Sequence, residues 1–469
     1  MTTDFDIIIL GSGPGGYVAS IRAAQLGMKT AIIEKNNLGG VCLNLGCIPT
    51  KSLLNSAKIL HYIKKHGKLF GIKSNQIEID YHKIVTKSKD IVEKMRKGIS
   101  FLMKKNGIHV IYGNAILKKG KKVEVFKDGK SMKEYSSPNI IISTGAIPKI
   151  ENKFQYDGKK IVTYKEALSL TSLPKRMIII GSGSIGLEFA YFYHSMGTDV
   201  IIIEICEKLF PSGDHEISDH LKFSFEKMGI KIYTYYSINK VFQEKDSISI
   251  EIESLRDKSS VTLTADIVLC SIGIVPNIQS IGLEEIGIQI EKGFIQVDEN
   301  YRTNINGYYA IGDVIKTPSL AHVASHEAIN CVENIKGLNC QKIDYNNIPK
   351  CVYSFPEISS VGYTEKESKE RGFKIKVAKF PFSSLGRSIA DENTEGFIKV
   401  IFDNKYDEWL GCHMIGNSVT DLISEVVVAR KLEATSYEIM SSVHPHPSLS
   451  ESILESVSSA YGKSIHNII

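Results

Sequence analysis

The sequence predicts an α/β protein, and two observations carry that class. Near the N-terminus Ile7-Ile8-Ile9-Leu10 runs into Gly11-Ser12-Gly13-Pro14-Gly15-Gly16. A helical stretch continues through Ala24 and Leu26, then a turn at Gly27 and a second apolar run from Thr30 to Ile33 that ends in Glu34. The second observation is that this pattern returns from Met177 to Glu204 at one constant offset of 170. Gly11, Gly13, Gly16, Gly27 and Glu34 map without a gap on Gly181, Gly183, Gly186, Gly197 and Glu204.

Each copy places its glycines after a buried strand and at the opening of a helix, with an acid about twenty residues on, which is the context a dinucleotide-binding turn requires. The glycines let backbone N–H groups approach a pyrophosphate at the helix N-terminus, and the acid accepts hydrogen bonds from ribose hydroxyls. Two copies predict two Rossmann-like domains and an electron relay from one nucleotide to the other.

At 469 residues the chain exceeds one ordinary core, and its length predicts roughly three or four domains. Hydrophobic residues at 43% and charged residues at 23% are those of a soluble globular protein, and no apolar run is long enough to span a bilayer. The net charge of +5 is small, and the basic stretch from Lys83 to Lys97 reads as the solvated face of a helix, so nucleic-acid binding is not expected. The N-terminus shows no signal or transit features, and a cytoplasmic location is expected, or an organelle matrix if a leader has been removed.

Of eight cysteines, Cys206, Cys270, Cys331, Cys340, Cys351 and Cys412 stand alone without metal-ligand spacing; they read as packed thiols, and no metal site is expected. Cys42 and Cys47 form the one close pair. An ideal helix would hold residues five apart beyond the disulfide limit of about 7 Å, so the turn between them must be distorted, with Gly46 and Pro49 permitting it. Helix is expected from Pro49 through Lys51, Leu53, Leu54 and Ala57. A thiolate at such an N-terminus is stabilised by unpaired N–H groups, and Lys51 adds positive charge one turn along. The first nucleotide unit lies immediately before this pair, which suits FAD. At the second, Glu204 repels a 2′-phosphate and the next residues, Ile205, Cys206, Glu207 and Lys208, supply no arginine, which favours NAD.

These segments resemble the pyridine nucleotide-disulfide oxidoreductases along essentially the whole chain. The likeness includes Gly-Ser-Gly-Pro-Gly-Gly-Tyr at 11 to 17, Cys-Ile-Pro-Thr-Lys at 47 to 51, Ser143-Thr144-Gly145, Tyr309-Ala310-Ile311-Gly312-Asp313, and the closing His444-Pro445-His446-Pro447-Ser448-Leu449-Ser450-Glu451. The resemblance implies an FAD domain over 1–145, an NAD domain over 146–274, a central segment over 275–345 that completes the FAD domain, and a C-terminal α+β dimerisation domain over 346–469. It implies that Asp313 binds the ribityl or pyrophosphate region of the flavin, with Ala321 and His322 beside the isoalloxazine. Thr144, Gly145 and Gly273 are further cofactor-binding positions, and Glu188 is the implied partner of Lys51.

Thr50 is similar to the lipoamide branch, whereas glutathione-type reductases tend to carry lysine there. The closing segment from Tyr461 has no extra cysteine, unlike mercuric and thioredoxin reductases. Val323 and His326 depart from common family sequence. The implied reaction oxidises protein-bound dihydrolipoyl groups and passes hydride to NAD, with Cys42 as interchange thiol and Cys47 as charge-transfer thiol. The implied base is His446, oriented by Glu451 and reaching in from the second subunit of a homodimer. Lipoyl-bearing acyltransferase or glycine-cleavage carrier subunits are the implied partners. The residues alone leave alternatives open: Ser448 and Glu451 have capping-box spacing, and His444 suits a base equally well. An NADPH-dependent reductase of other disulfides, or a flavoprotein retained mainly as a complex subunit, also fits the motifs.

Overall fold

Four consecutive apolar residues at Ile7–Leu10 leave neither face of that strand suited to water, and the chain places it at the centre of a parallel sheet. In the computed structural model, residues 3–73, 77–245 and 247–467 are described. They divide into two units: Met1–Ser52, Val85–Lys149 and Gly273–Tyr345 form the first, and Leu53–Ile84, Ile150–Ile272 and Asn346–Ile469 the second.

In the first unit the strand order is Tyr308–Ala310, Asn139–Ile142, Ile7–Leu10, Thr30–Glu34, His109–Tyr112, and every neighbouring pair is parallel. The helix Pro14–Gln25 makes the crossover from Ile7–Leu10 to Thr30–Glu34. Proline at its start forfeits an N–H that would have had no intrahelical partner. Its buried side is Gly15, Gly16, Ala19, Ser20 and Ala23, small residues that let it lie close against the helix Ala321–Ile335.

The second unit repeats the plan. Arg176–Ile180 lies between Asp199–Glu204 and Ile267–Cys270, with Lys231–Thr234 and Ile161–Val162 at the edges, again all parallel. Even the register obeys the sequence offset, since Ile7 pairs with Thr30 as Met177 pairs with Val200.

Each unit also carries a three-stranded antiparallel sheet: Asn114–Lys118, Lys122–Lys127 and Lys130–Ser136 in the first, Tyr236–Gln243, Ile248–Ser254 and Ser260–Ala265 in the second. The second unit further contains a five-stranded antiparallel sheet ordered Lys350–Val352, Glu357–Gly362, Trp409–Gly416, Phe397–Asp403, Ile375–Pro381. The helices Val419–Lys431 and Glu451–Ala460 pack on this sheet, over a core that includes Phe380, Phe402, Trp409, Met414, Ile453 and Val457.

One buried residue of that sheet, on the face away from this core, is a lysine. Lys399 is fully buried, and its ammonium meets Asp214 at 3.1 Å, Glu216 at 2.7 Å and Glu365 at 2.7 Å. Burial works against its charge, but the three carboxylates outweigh that and raise it above the usual lysine range. Lys369 and Lys399 together hold the Glu365 carboxyl at about 2.

Two expectations meet the structure differently. The basic stretch lies on the helix Tyr81–Lys105, where Lys83, Lys87, Lys89, Lys94 and Lys97 are exposed. The reading of six packed thiols is corrected: Cys270, Cys331 and Cys412 are buried, Cys340 and Cys351 are half-buried, and Cys206 is exposed. Cys206 fails to pack because it falls just past the strand Asp199–Glu204, where the chain leaves the sheet. No helix among the described residues is long and apolar enough to cross a membrane.

Candidate active site

Cys42 and Cys47 are joined in a disulfide, with Cα atoms 4.8 Å apart. A continuous helix would separate them by about 7.5 Å along its axis alone. The chain escapes that geometry at Gly46, whose backbone at φ −144°, ψ −112° ends the helix Gly40–Leu45 one residue before the helix Cys47–His66 begins. This second helix starts two residues earlier than the expected Pro49. The Gly46 carbonyl already accepts the Thr50 N–H at 3.1 Å and the Thr50 hydroxyl at 2.7 Å. Pro49 sits in the first turn, where its missing N–H costs nothing. Cys47 thus stands at a helix N-terminus, where unpaired N–H groups favour a thiolate. Lys51 comes one turn along the same helix.

The cysteine segment is pinned to the first glycine motif by backbone alone. The Gly39 N–H donates to the Ser12 carbonyl at 3.0 Å, and a side chain on Gly40 would collide with Gly13. Gly39 and Gly40 both adopt positive φ, at 98° and 61°.

The two glycine turns are built alike. A side chain at Gly11 or Gly181 would strike the carbonyl of Ser143 or Ser271, and one at Gly16 or Gly186 would strike Gly11 or Gly181. Gly13 and Gly183 begin the helices Pro14–Gln25 and Ser184–Ser195, and neither helix start is capped by a side chain. Space stands open around Gly183. The acids at the second strand ends are buried and held the same way. Glu34 accepts the Ser12 N–H and hydroxyl at 3.0 and 2.6 Å and the Asn36 N–H at 2.8 Å. Glu204 accepts the Ser182 N–H and hydroxyl at 2.7 and 2.6 Å and the Cys206 N–H at 2.9 Å. Bare helix N-termini whose glycines keep the backbone free of side chains fit the pyrophosphates of FAD and NAD.

The next strand in each sheet ends in a further glycine turn. Thr144 and Gly145 are tied to Asn277, whose carbonyl accepts the Thr144 hydroxyl at 2.7 Å and whose N–H reaches the Gly145 carbonyl at 2.8 Å. Gly145 and Gly273 have φ of +70° and +119° and open space where a side chain would stand. Asp313 lies in the 3-10 turn Gly312–Val314, and burial pushes its carboxyl above the usual range. A flavin's ribityl hydroxyls are donors suited to such a carboxylate. Ala321 and His322 open the helix Ala321–Ile335, whose start also has no side-chain cap.

In the second unit His446 is 78% exposed, and its Nδ1 lies 2.9 Å from Glu451 Oε1. The other carboxylate oxygen accepts the Ser448 N–H at 2.8 Å, so Glu451 both orients the ring and closes the loop. The helix nevertheless begins at Glu451 with Ser450 as its cap position, so Ser448 is not its N-cap. Burial raises the Glu451 carboxyl, but the Ser448 N–H and the His446 ring outweigh it and leave it below the usual range. His444 differs: its side chain is 8% exposed and its Nε2 lies 2.8 Å from Glu425. Glu188 is buried in the helix Ser184–Ser195 and accepts the Tyr353 N–H at 3.1 Å.

Sequence reasoning missed four positions. Ser12 and Ser182 hold the two strand-end acids, and the only signal was that the same hydroxyl recurs in both motifs. Gly40 stands beside the cysteines without any sequence sign of its contact with Gly13. Glu327, fully buried under the Asp313 turn, looks in sequence like any glutamate on a helix.

The comparisons with known proteins agree with this geometry. Residues 5–328 match the family described as pyridine nucleotide-disulphide oxidoreductase, and residues 348–457 match its dimerisation domain. A protein of Rhizobium etli named dihydrolipoyl dehydrogenase is 43% identical, with 99% of each chain covered. One of the same name from Zymomonas mobilis is 40% identical, with 99% of this chain and all of that one covered. Among solved structures, LpdA from Mycobacterium tuberculosis superposes with a TM-score of 0.89 at 25% identity, covering 97% of this chain and 99% of that one. The chain belongs to the pyridine nucleotide-disulphide oxidoreductase family.

Proposed function

We infer that the protein is a dihydrolipoyl dehydrogenase, oxidising dihydrolipoyl groups to the disulfide with NAD as acceptor. The observation that carries this is the Cys42–Cys47 disulfide seated on a dinucleotide cradle, in a chain 43% identical over its whole length to a protein of that name. We assign the FAD site to 1–145 with 275–345, the NAD site to 146–274 and the dimer-forming domain to 346–469. FAD is held by Gly11, Gly13, Gly16, Glu34, Thr144, Gly145 and Asp313, with Lys51, Ala321 and His322 at its reactive end. NAD is held by Gly181, Gly183, Gly186, Glu204 and Gly273, and Glu188 is assigned as the partner of Lys51 on the family resemblance alone. Bound FAD supplies the two-electron carrier between sulfur and nicotinamide.

The chain's own residues do the thiol chemistry. A lipoyl thiolate attacks Cys42 Sγ, the Cys42–Cys47 bond breaks, and Cys47 leaves as a thiolate favoured by its helix N-terminus. The second lipoyl sulfur then attacks the first, closing the lipoyl disulfide and releasing Cys42. The base that takes up the lipoyl protons is His446, its ring fixed by Glu451 as a carboxylate fixes an imidazole elsewhere. The exposure of His446 fits a side chain offered to a second subunit, and a homodimer with two composite sites is the consequence. Lipoyl-bearing acyltransferases or glycine-cleavage carriers are the partners whose dithiol this site accepts, in the cytoplasm or an organelle matrix.

Steady-state turnover of purified protein tests the reading. Dihydrolipoamide with NAD is expected to turn over, and glutathione disulfide with NADPH is not; the reverse preference would refute it.

A further inference from the structure

Glu327 has no solvent exposure, and its carboxylate grips both sides of the turn that carries Asp313. Oε2 accepts the Gly312 N–H at 2.6 Å, and the hydroxyl of Thr317, just past the turn, also donates to the group. Oε1 accepts the Tyr345 hydroxyl at 2.9 Å. All three partners are neutral, and neighbouring Asp313 is of like charge. An apolar side chain would fill this space without the cost of burying a carboxylate. What an apolar side chain would not do is fix the Gly312 peptide, which stands in the left-handed region at φ +71°.

Glu327 also belongs to the helix Ala321–Ile335, so the same hydrogen bonds tie the Asp313 turn to the helix that begins with Ala321 and His322. Tyr345 locks the arrangement from the far side, where it lines a cavity with Tyr301, Asn330 and Lys342. We propose that Glu327 is a positioning residue for the flavin: it sets where Asp313 stands relative to the start of that helix, and Tyr345 fixes Glu327 in turn. The inference rests on the reading of Asp313 as a flavin ligand.

The test is FAD affinity by titration of apoprotein, with the flavin midpoint potential of the reconstituted protein, for E327A, E327Q, Y345F and D313A. E327A is expected to raise the FAD Kd at least about tenfold and to shift the potential, and Y345F to raise the Kd about two- to fivefold. E327Q should recover most of the affinity, because its amide oxygen still accepts from Gly312. Wild-type affinity in E327A and Y345F beside an impaired D313A would overturn the inference alone, as would equal losses in E327A and E327Q. Wild-type affinity in D313A would instead remove the reading it rests on. If E327A does not fold, Y345F against D313A decides.

Discussion

The two glycine units share a backbone plan down to the serine that holds the strand-end acid, yet only the first runs on into a cysteine pair. The difference lies in the residues just past the second strand. After Glu34 the chain runs through Gly39 and Gly40, whose bare backbone presses on Gly13 and starts the cysteine-bearing helix. After Glu204 it reaches Phe210, whose N–H donates to the Ser182 hydroxyl at 3.2 Å, and the space over Gly183 is left open. A shared cradle thus acquires a distinct chemistry from the few residues past its acid, and the comparison can be attacked at each of those points.

The largest effect is expected at sulfur. Cys42→Ser and Cys47→Ser should each bring dihydrolipoamide turnover to background. Only Cys42→Ser should show a long-wavelength band at neutral pH without reductant, from a Cys47 thiolate beside oxidised flavin. A Cys42→Ser protein that holds FAD and lacks the band reverses the two assignments. Next, mixing inactive Cys47→Ser and His446→Gln proteins under verified subunit exchange should restore activity to about half of the heterodimer's sites, since one site then carries both lesions and the other neither. No recovery would place the base in the same chain as its cysteines.

Glycine substitutions separate the cradles themselves. Gly40→Ala should impair FAD retention, because it forces a positive φ, worth about 1–2 kcal/mol, on top of a collision with Gly13. Gly183→Ala meets open space, so it should leave Tm near wild type and raise the KM for NAD. Equal effects of both on FAD would erase the distinction. A smaller effect is expected at the acids: Glu204→Gln should weaken NAD about tenfold while leaving FAD in place, and Glu34→Gln the converse. Separate titration of each cofactor checks the pair.

Smallest is a pH effect confined to the second unit. Glu365 drops from 4.5 to about 2 in the folded state, so its pairing with Lys399 stabilises fully above about pH 4.5 and is lost as pH falls through about 2. Asp214 and Glu216 are depressed in the same direction. Thermal melts across that range should show the loss in wild type and a flatter profile in Lys399→Met.

The α/β class and the repeated cradle were legible because they are written in local terms: apolar runs, glycines where a side chain would collide, and one offset. The break at Gly46 was legible for the same reason, since a helix is too long for the disulfide. Ser12, Ser182 and Glu327 were not, because their roles depend on partners 22 or 15 residues away in an already folded chain. Lys399 was invisible in the same way: nothing in the strand around it announces that Asp214, Glu216 and Glu365 will gather there. The Cys206 error came from treating isolation in sequence as a sign of burial, when its place just past a strand end decided its exposure.

The disulfide closes a loop of very few residues, with a sequence separation of 5. In the chain-entropy picture so small a ring restricts the unfolded chain by only about 2 kcal/mol, against nearly 5 for a ring of a hundred. Opening it therefore takes little from the folded state, and the helix break that brings the two sulfurs together lies at Gly46, where the backbone leaves the helical region. The bond works as a latch rather than a staple, since a ring this small adds little to the stability of the fold that carries it.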